Sequence, residues 1–439
     1  MVLLENHAPR PTYPPGASIV KPSALPTWIV LLSLLPSLAA DWPRFRGPHA
    51  EGVVAEANVP VRWSATENVV WKTAMPGSGA SSPIIIGEKI FLTAYSGYGQ
   101  DLENPGEIEN LRLHILCVGA DDGKILWEKS APARMPEQEY RGFTALHGYA
   151  SNTPTSDGKN VYAFFGHSGV YALSIQGDFL WLADVGRKTH SWSSGASPIL
   201  YQNLLIVTAS VESDSLVALD KATGKEVWRA EGIDDAWGTP LIVELSDGKT
   251  ELVVSMKNKV LGFDPMTGKQ LWECAGVEDY ICPSVIAHDG IAYITAGRKP
   301  HSLAVRCGGR GDVTDSHILW ELRKTSKVPT PVYHEGLLYW VGVKGVAMCI
   351  DAKTGELVYQ ERIPMKGQGD KVYASMVMAG GRLYAVSRSD GTFVLAPGRE
   401  FKQLAHNDLG DRSIFNATPA IHGNRLILRS DKYLYCLGK

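Results

Sequence analysis

The eleven residues Ala218–Trp228, ALDKATGKEVW, constrain the fold more than any other stretch, because the same pattern returns along almost the whole chain. Gly262–Trp272 reads GFDPMTGKQLW, Cys349–Tyr359 reads CIDAKTGELVY and Cys117–Trp127 reads CVGADDGKILW; Ala172–Trp181, ALSIQGDFLW, is one residue shorter. Each copy has the chemistry of two antiparallel strands joined by a tight turn. Asp and Thr bond nearby backbone, and Gly takes the positive φ that the turn needs. The Trp falls on the returning strand. A side chain of that size, repeated once per unit, is best buried between neighbouring units. Such self-similarity is the signature of a repeat architecture.

The Trp-equivalent positions are Trp71, Trp127, Trp181, Trp228, Trp272, Trp320, Tyr359 and Leu404. They give a mean period of about 48 residues, within the range of four-stranded propeller blades. A second marker keeps phase with them: a small polar residue, usually followed by Pro, before an apolar run. It occurs at Ser82, Thr153, Ser197, Thr239, Cys282, Thr330, Ser375 and Thr418. We read it as the start of the innermost strand, where Pro removes no ladder donor. The last unit supplies only three strands, and Asn68–Thr73 (NVVWKT) is the expected fourth. Pairing the two ends closes the ring and removes a sheet edge. The expectation is an all-β, eight-bladed β-propeller; seven blades is the alternative if one weak unit is decorative.

Three segments follow from this count: 1–40 as an atypically long leader with a signal peptide, 41–67 as an N-terminal arm or cap, and 68–439 as the propeller. In the leader, Arg10 and Lys21 precede the apolar run Trp28–Leu35, and Ser37 and Ala39 have the small side chains of a cleavage site. The run is short for a bilayer span. Export to the periplasm or beyond is expected, with an uncleaved anchor as the alternative. The arm opens on Asp41–Pro48, DWPRFRGP, read as a packed cap in preference to a sticky arm. Long connections are expected at Tyr95–Arg112, Ala131–Ser151 and Arg306–His317; the last holds an Arg-Gly-Asp triplet that reads as glycine-rich hairpin. A formal net charge of −3 points away from nucleic acid. Cys117, Cys349 and Cys436 occupy equivalent repeat positions, so they read as buried filler, whereas Cys274 and Cys282 flank one turn and could pair. There is no zinc-type cysteine spacing and no metal site is expected.

ALDKATGKEVW resembles the tryptophan-docking motif A-x-D-x-x-T-G-K-x-x-W of bacterial quinoprotein propellers, and Ala218–Trp228 matches it at every fixed position. That group includes the pyrroloquinoline quinone (PQQ)-dependent alcohol dehydrogenases and the propeller-type outer-membrane-protein assembly lipoprotein. The resemblance covers about residues 60–439 and implies the fold, with Trp71, Trp127, Trp181, Trp228, Trp272, Trp320 and Tyr359 as docking residues. An enzyme of the family would imply PQQ with calcium, a vicinal disulfide and an Asp base. This chain has no adjacent Cys pair, so no catalytic residue carries over and no cofactor is expected. Asp279 and His147 have acid–base chemistry and nothing more specific.

A binding surface remains. The loops before the inner strands and the hairpins between second and third strands share one rim. There the sequence places His147, Tyr149, Trp192, Trp237, Asp279, Tyr280, Tyr373 and Phe415, with Lys257, Arg298, Lys344, Arg388 and Arg429 in the hairpins. Aromatics inside a basic rim suit an anionic or aromatic small ligand, a glycan or a peptide. The expected function is a monomeric, non-catalytic binding or scaffold module working through one ring face. The alternatives are a PQQ-dependent oxidoreductase with an atypical site and an outer-membrane protein assembly factor.

Overall fold

The computed structural model describes Thr12, residues 41–366 and residues 371–439; the leader pattern read in residues 1–40 lies outside the described residues, Thr12 apart. Eight antiparallel sheets follow one another around a central axis. Blade one is Ile84–Ile86, Lys89–Ser96, Arg112–Gly119 and Ile125–Pro132; blades two to seven repeat this inside-to-outside order. Blade eight is Ala420–His422, Arg425–Arg429 and Tyr433–Leu437, completed by Val69–Ala74 from the start of the chain, with Trp71 opposite Cys436. The ring closes as the sequence predicts.

The Asp-x-x-Thr-Gly turn explains why the strands reverse where they do. In blade three the Asp220 carboxylate accepts from the Thr223 N–H (2.9 Å) and hydroxyl (2.7 Å), while Gly224 takes φ +72°. Asp264 and Asp351 hold their turns by accepting backbone N–H groups, those of Met266 and Thr267 and of Lys353 and Thr354. The returning strand places each docking Trp opposite a small residue: Trp127 faces Cys117, Trp181 Ala172, Trp228 Ala218 and Trp320 Ala304. In blade seven the register puts Ala405, not Leu404, at that position, because Leu404 falls in the bulge.

Each Trp then docks on the turn of the next blade. Trp228 Nε1 donates to the Pro265 carbonyl at 3.2 Å, and a Cβ on Gly268 would lie 2.4 Å from its ring. The same arrangement joins Trp71 to Ala120 and Gly123, Trp127 to Ile175 and Gly177, Trp181 to Lys221 and Gly224, and Trp320 to Ala352 and Gly355. Trp272 departs from the pattern. It folds over its own blade above Gly262 and donates to buried Glu251 at 2.7 Å. Tyr359 instead meets Phe401 edge-on at 5.9 Å.

The arm is packed and reaches several blades. Trp42 pairs with Ile85 in blade one, and the Pro43 carbonyl accepts from Ser156 in blade two. Fully buried Arg46 donates to five carbonyls, those of Ala50, Glu51, Thr330, Pro331 and Met376, in its own loop and blades six and seven. Burial lowers its pKa to about 9, with Glu51 acting in the opposite sense. Val53–Val54 adds a parallel strand to the inner edge of blade seven. Trp63 stacks on Tyr384 (6.2 Å), and its backbone N–H donates to Asn407.

All six cysteines are free, so the pairing considered for Cys274 and Cys282 does not form. Cys117, Cys349 and Cys436 are buried, and burial pushes the thiols of Cys349 and Cys436 up to about 12.

Candidate functional site: the axial cavity

At the start of every inner strand one Ser or Thr hydroxyl accepts the backbone N–H of its counterpart in the preceding blade. Ser82 N–H reaches Thr153 (3.0 Å), Thr153 reaches Ser197 (3.0 Å), Ser197 reaches Thr239 (3.0 Å), and Thr239 reaches Ser284 (3.0 Å). Ser284 reaches Thr330 (3.0 Å), Thr330 reaches Ser375 (2.9 Å), Ser375 reaches Thr418 (3.0 Å), and Thr418 returns to Ser82 (3.1 Å). The result is a closed collar of eight hydrogen bonds about the axis. The sequence marker found seven of its members. In blade five it chose Cys282, followed by Pro; the collar residue is Ser284, two residues before the strand begins at Ile286, which is the spacing in every blade.

All eight collar residues are buried and line one cavity of about 310 Å³. Phe45 of the arm also lines it. Trp192, Trp237 and Tyr280 form a connected aromatic cluster: the two indoles lie 5.0 Å apart, and Tyr280 meets Trp192 edge-on at 4.6 Å. Phe143 adds a further ring 4.8 Å from Trp192. The Arg298 guanidinium sits over Tyr280 at 5.4 Å and Trp192 at 6.0 Å. Lys327 lines the same cavity with its backbone at φ +69°, a left-handed conformation that costs a non-glycine residue on the order of 1 kcal/mol. Among the described residues, no Asp or Glu lines the cavity.

The long connection Ala131–Ser151 shapes one wall. Its short helix Thr144–His147 brings the Leu146 carbonyl to Asn416 Nδ2 (2.6 Å) and Arg388 (3.4 Å), from blades eight and seven. His147 Nε2 donates to the Trp192 carbonyl at 2.9 Å, so its Nδ1 faces the Ser151 hydroxyl (2.6 Å) as an acceptor. Burial first, and then the Arg388 charge, lower its pKa to about 4 against the opposing carbonyl bond. Both nitrogens are occupied, and the ring is neutral at neutral pH. Asp279 does not line the cavity. Burial raises its pKa, but the N–H groups of Tyr280, Arg298 and Lys299 and the Arg298 charge outweigh that and hold it below the usual value. It fixes the hairpin that carries Arg298.

Of the residues placed on the rim from sequence, His147, Trp192, Trp237, Tyr280, Arg298 and Tyr373 line the cavity, and Arg388 stacks on Tyr373 at 4.6 Å. The others are placed elsewhere. Tyr149 is buried among Tyr95, Tyr98 and Tyr140 and donates to the Gln138 carbonyl. Phe415 packs beneath the rim against Tyr435. Arg429 is fully buried, joining blade eight to the Ser81 and Thr93 carbonyls of blade one, and burial lowers its pKa to about 9. Lys257 pairs with Asp235 at 2.9 Å away from the cavity, and Lys344 does not line it. Sequence reading missed Phe45, Phe143, Lys327 and Asn416, and it gave the collar a purely structural meaning.

Among the described residues, no three His, Cys, Asp or Glu side chains converge to hold a metal ion. The repeat family described as "Outer membrane protein assembly factor BamB" matches residues 52–193, 110–231, 167–282 and 309–432. No curated protein matches the sequence. Solved structures resemble it in fold. BamB from Moraxella catarrhalis is 14% identical, covering 84% of this chain and 97% of its own, with a TM-score of 0.60. Quinohemoprotein alcohol dehydrogenase ADHIIG from Pseudomonas putida HK5 is 10% identical, covering 90% and 80%, with a TM-score of 0.59. The computationally designed Ika8 protein is 12% identical, covering 83% and 98%, with a TM-score of 0.56. At these identities the likeness establishes the eight-bladed fold alone.

Proposed function

This chain belongs to the β-propeller repeat family described as outer membrane protein assembly factor BamB, and we propose that it is a non-catalytic binding module that receives a small ligand in its axial cavity. One observation carries the reading: the cavity joins a cluster of aromatic faces to the Arg298 guanidinium, with no carboxylate on its wall among the described residues. Such walls suit a flat ligand fixed by a few polar contacts. His147 and Asp279 both use their polar atoms to hold protein structure, which supports binding over acid–base chemistry. The leader pattern in residues 1–40 supports an exported protein.

The test is native mass spectrometry after incubation with a cell extract. A small molecule should be retained by the wild type and lost in Trp192→Ala. If the two proteins retain the same species, or none, the reading fails. A parallel incubation with PQQ and calcium, followed by dye reduction with alcohols, addresses the oxidoreductase reading; turnover would replace the present one.

The assembly-factor reading is favoured by a separate surface. The outer strand Phe179–Ala183 of blade two exposes Phe179, Leu180 and Leu182. Grouped apolar exposure of this kind suits a protein partner. Replacing all three by Ser should abolish cross-linking to such a partner while leaving the axial cavity unchanged.

A further inference from the structure

Each collar hydroxyl has one hydrogen and two lone pairs. The hydrogen bonds that close the ring use one lone pair of each oxygen. Among the described residues, none of the eight hydroxyls donates to a protein acceptor. Structural closure therefore explains the accepted N–H and leaves the O–H unexplained. Buried donors rarely stand without an acceptor. Here eight of them surround one axis, each nine-tenths or more buried, at the wall of a cavity large enough for a ligand.

We infer that the collar is an oxyanion-binding site, and that the cavity takes a flat aromatic molecule carrying a carboxylate, phosphate or sulfate group. The inference deepens the axial-cavity reading above and rests on it. Two features decide the sign of the charge. Arg298 and Lys327 line the same cavity, and among the described residues no Asp or Glu faces them from its wall. The collar oxygens are already polarised, because each accepts a backbone N–H, which strengthens the hydrogen bond its own proton can donate. An anionic group seated against the collar accepts hydrogen bonds from the hydroxyls nearest to it. The aromatic body then lies beside Trp192, Trp237 and Tyr280, whose mutual packing holds their faces in place. A cation in the same position would meet donors and two like charges. A neutral sugar would use the collar but gain no charge–charge attraction from Arg298 or Lys327.

The experiment compares naphthalene-2-carboxylate with naphthalene-2-methanol, two ligands of similar shape differing in charge, by titration calorimetry on the full chain in a buffer free of phosphate and sulfate. The carboxylate is expected to bind at least tenfold more tightly. Thr239→Val should weaken that preference severalfold, and Thr239→Ser should restore it. The wild-type comparison stands alone if the valine variant fails to fold. Equal affinity for the two ligands overturns the collar inference while leaving a binding cavity intact. A carboxylate preference that persists in a folded Thr239→Val protein at full strength assigns the anion to Arg298 and Lys327 and overturns the collar as well. If neither ligand binds, the inference falls, and the broader reading is decided separately by extract retention in the Trp192→Ala comparison.

Discussion

The junction between blades three and four and the junction between blades four and five use the same residue type in opposite ways. At the first, Trp228 reaches out of its blade, covers Gly268 and donates to the Pro265 carbonyl. At the second, Trp272 turns back. Gly262 opposite it has no side chain, and a Cβ there would lie 2.1 Å from the indole, so the ring settles onto its own sheet. Its N–H is taken by Glu251, whose carboxylate also accepts from Gly308 N–H and Arg310 at 2.9 Å each. Blade five has no Asp-x-x-Thr-Gly turn to receive a Trp; it has the Arg306–His317 insertion. Gly311–Asp312 of that insertion pairs parallel to the outer strand of blade four and covers its edge. An apolar ring on a glycine turn and a buried carboxylate with three donors are two solutions to one packing problem.

The largest expected effect tests the regular solution. Trp228→Ala removes a nearly buried indole from between two blades and strands the Pro265 carbonyl. The loss should be about 3–5 kcal/mol, the usual range for a large aromatic truncated in a core, read from chemical denaturation. If the loss is below about 1 kcal/mol, the Trp dockings do not hold the ring together and the comparison collapses.

A second buried carboxyl sharpens the contrast from the other side. Glu212 in blade three is 2% exposed and its Oε2 has no hydrogen-bond partner, unlike the fully engaged Glu251. Burial first, with the Glu137 charge adding to it, raises its pKa to about 8 against the Ser194 hydrogen bond. The folded state therefore holds a proton that the unfolded chain has released above its ordinary value of 4.5. That contribution is fully present at low pH, declines as pH rises from 4.5 to about 8, and is gone above. Each pKa unit corresponds to about 1.4 kcal/mol, so the decline should reach a few kcal/mol. Glu212→Gln should flatten the slope of Tm between pH 5 and pH 8; an unchanged slope would show that the buried carboxyl does not titrate as its surroundings demand.

The regular junctions were legible in sequence, and the irregular one was not, for a physical reason. Asp220, Thr223, Gly224 and Trp228 lie within nine residues, so local turn chemistry and a docking side chain can be read together. Glu251 and Trp272 stand 21 residues apart on different strands, and Arg310 enters from the next blade. Nothing local announces their meeting. The same division runs through the site. The collar was visible as a repeated Ser or Thr, and the one misplacement, Cys282 for Ser284, came from following Pro rather than strand spacing. Trp237 and Tyr373 stand two residues before their collar hydroxyls and face the cavity. Phe415 stands three before and points beneath the rim. Tyr149 and Tyr280 share an offset of four, yet Tyr149 is drawn into a tyrosine cluster by a long loop whose path no spacing encodes.

Glu251→Ala tests the irregular solution directly. It leaves the buried Trp272 N–H without its acceptor, whereas exposed Gly308 can turn its N–H to water, and a buried donor stranded in this way costs about 1–3 kcal/mol. The expected loss is about 2 kcal/mol by denaturation, smaller than for Trp228→Ala because the indole stays in place.

The smallest expected effect decides whether Glu251 acts as an ion pair or as a hydrogen-bond acceptor. Arg310 has a side chain 57% exposed, whereas that of Glu251 is 1% exposed. A guanidinium in contact with water contributes little through its charge, typically about 0–1 kcal/mol. The carboxylate keeps two N–H donors after Arg310 is removed. Arg310→Ala should therefore lower stability by less than about 1 kcal/mol, and the change should be insensitive to salt. A loss matching that of Glu251→Ala, shrinking as salt is added, would make the pair itself the stabilising element. The blade four–five junction would then be held by charge, whereas its neighbour is held by packing.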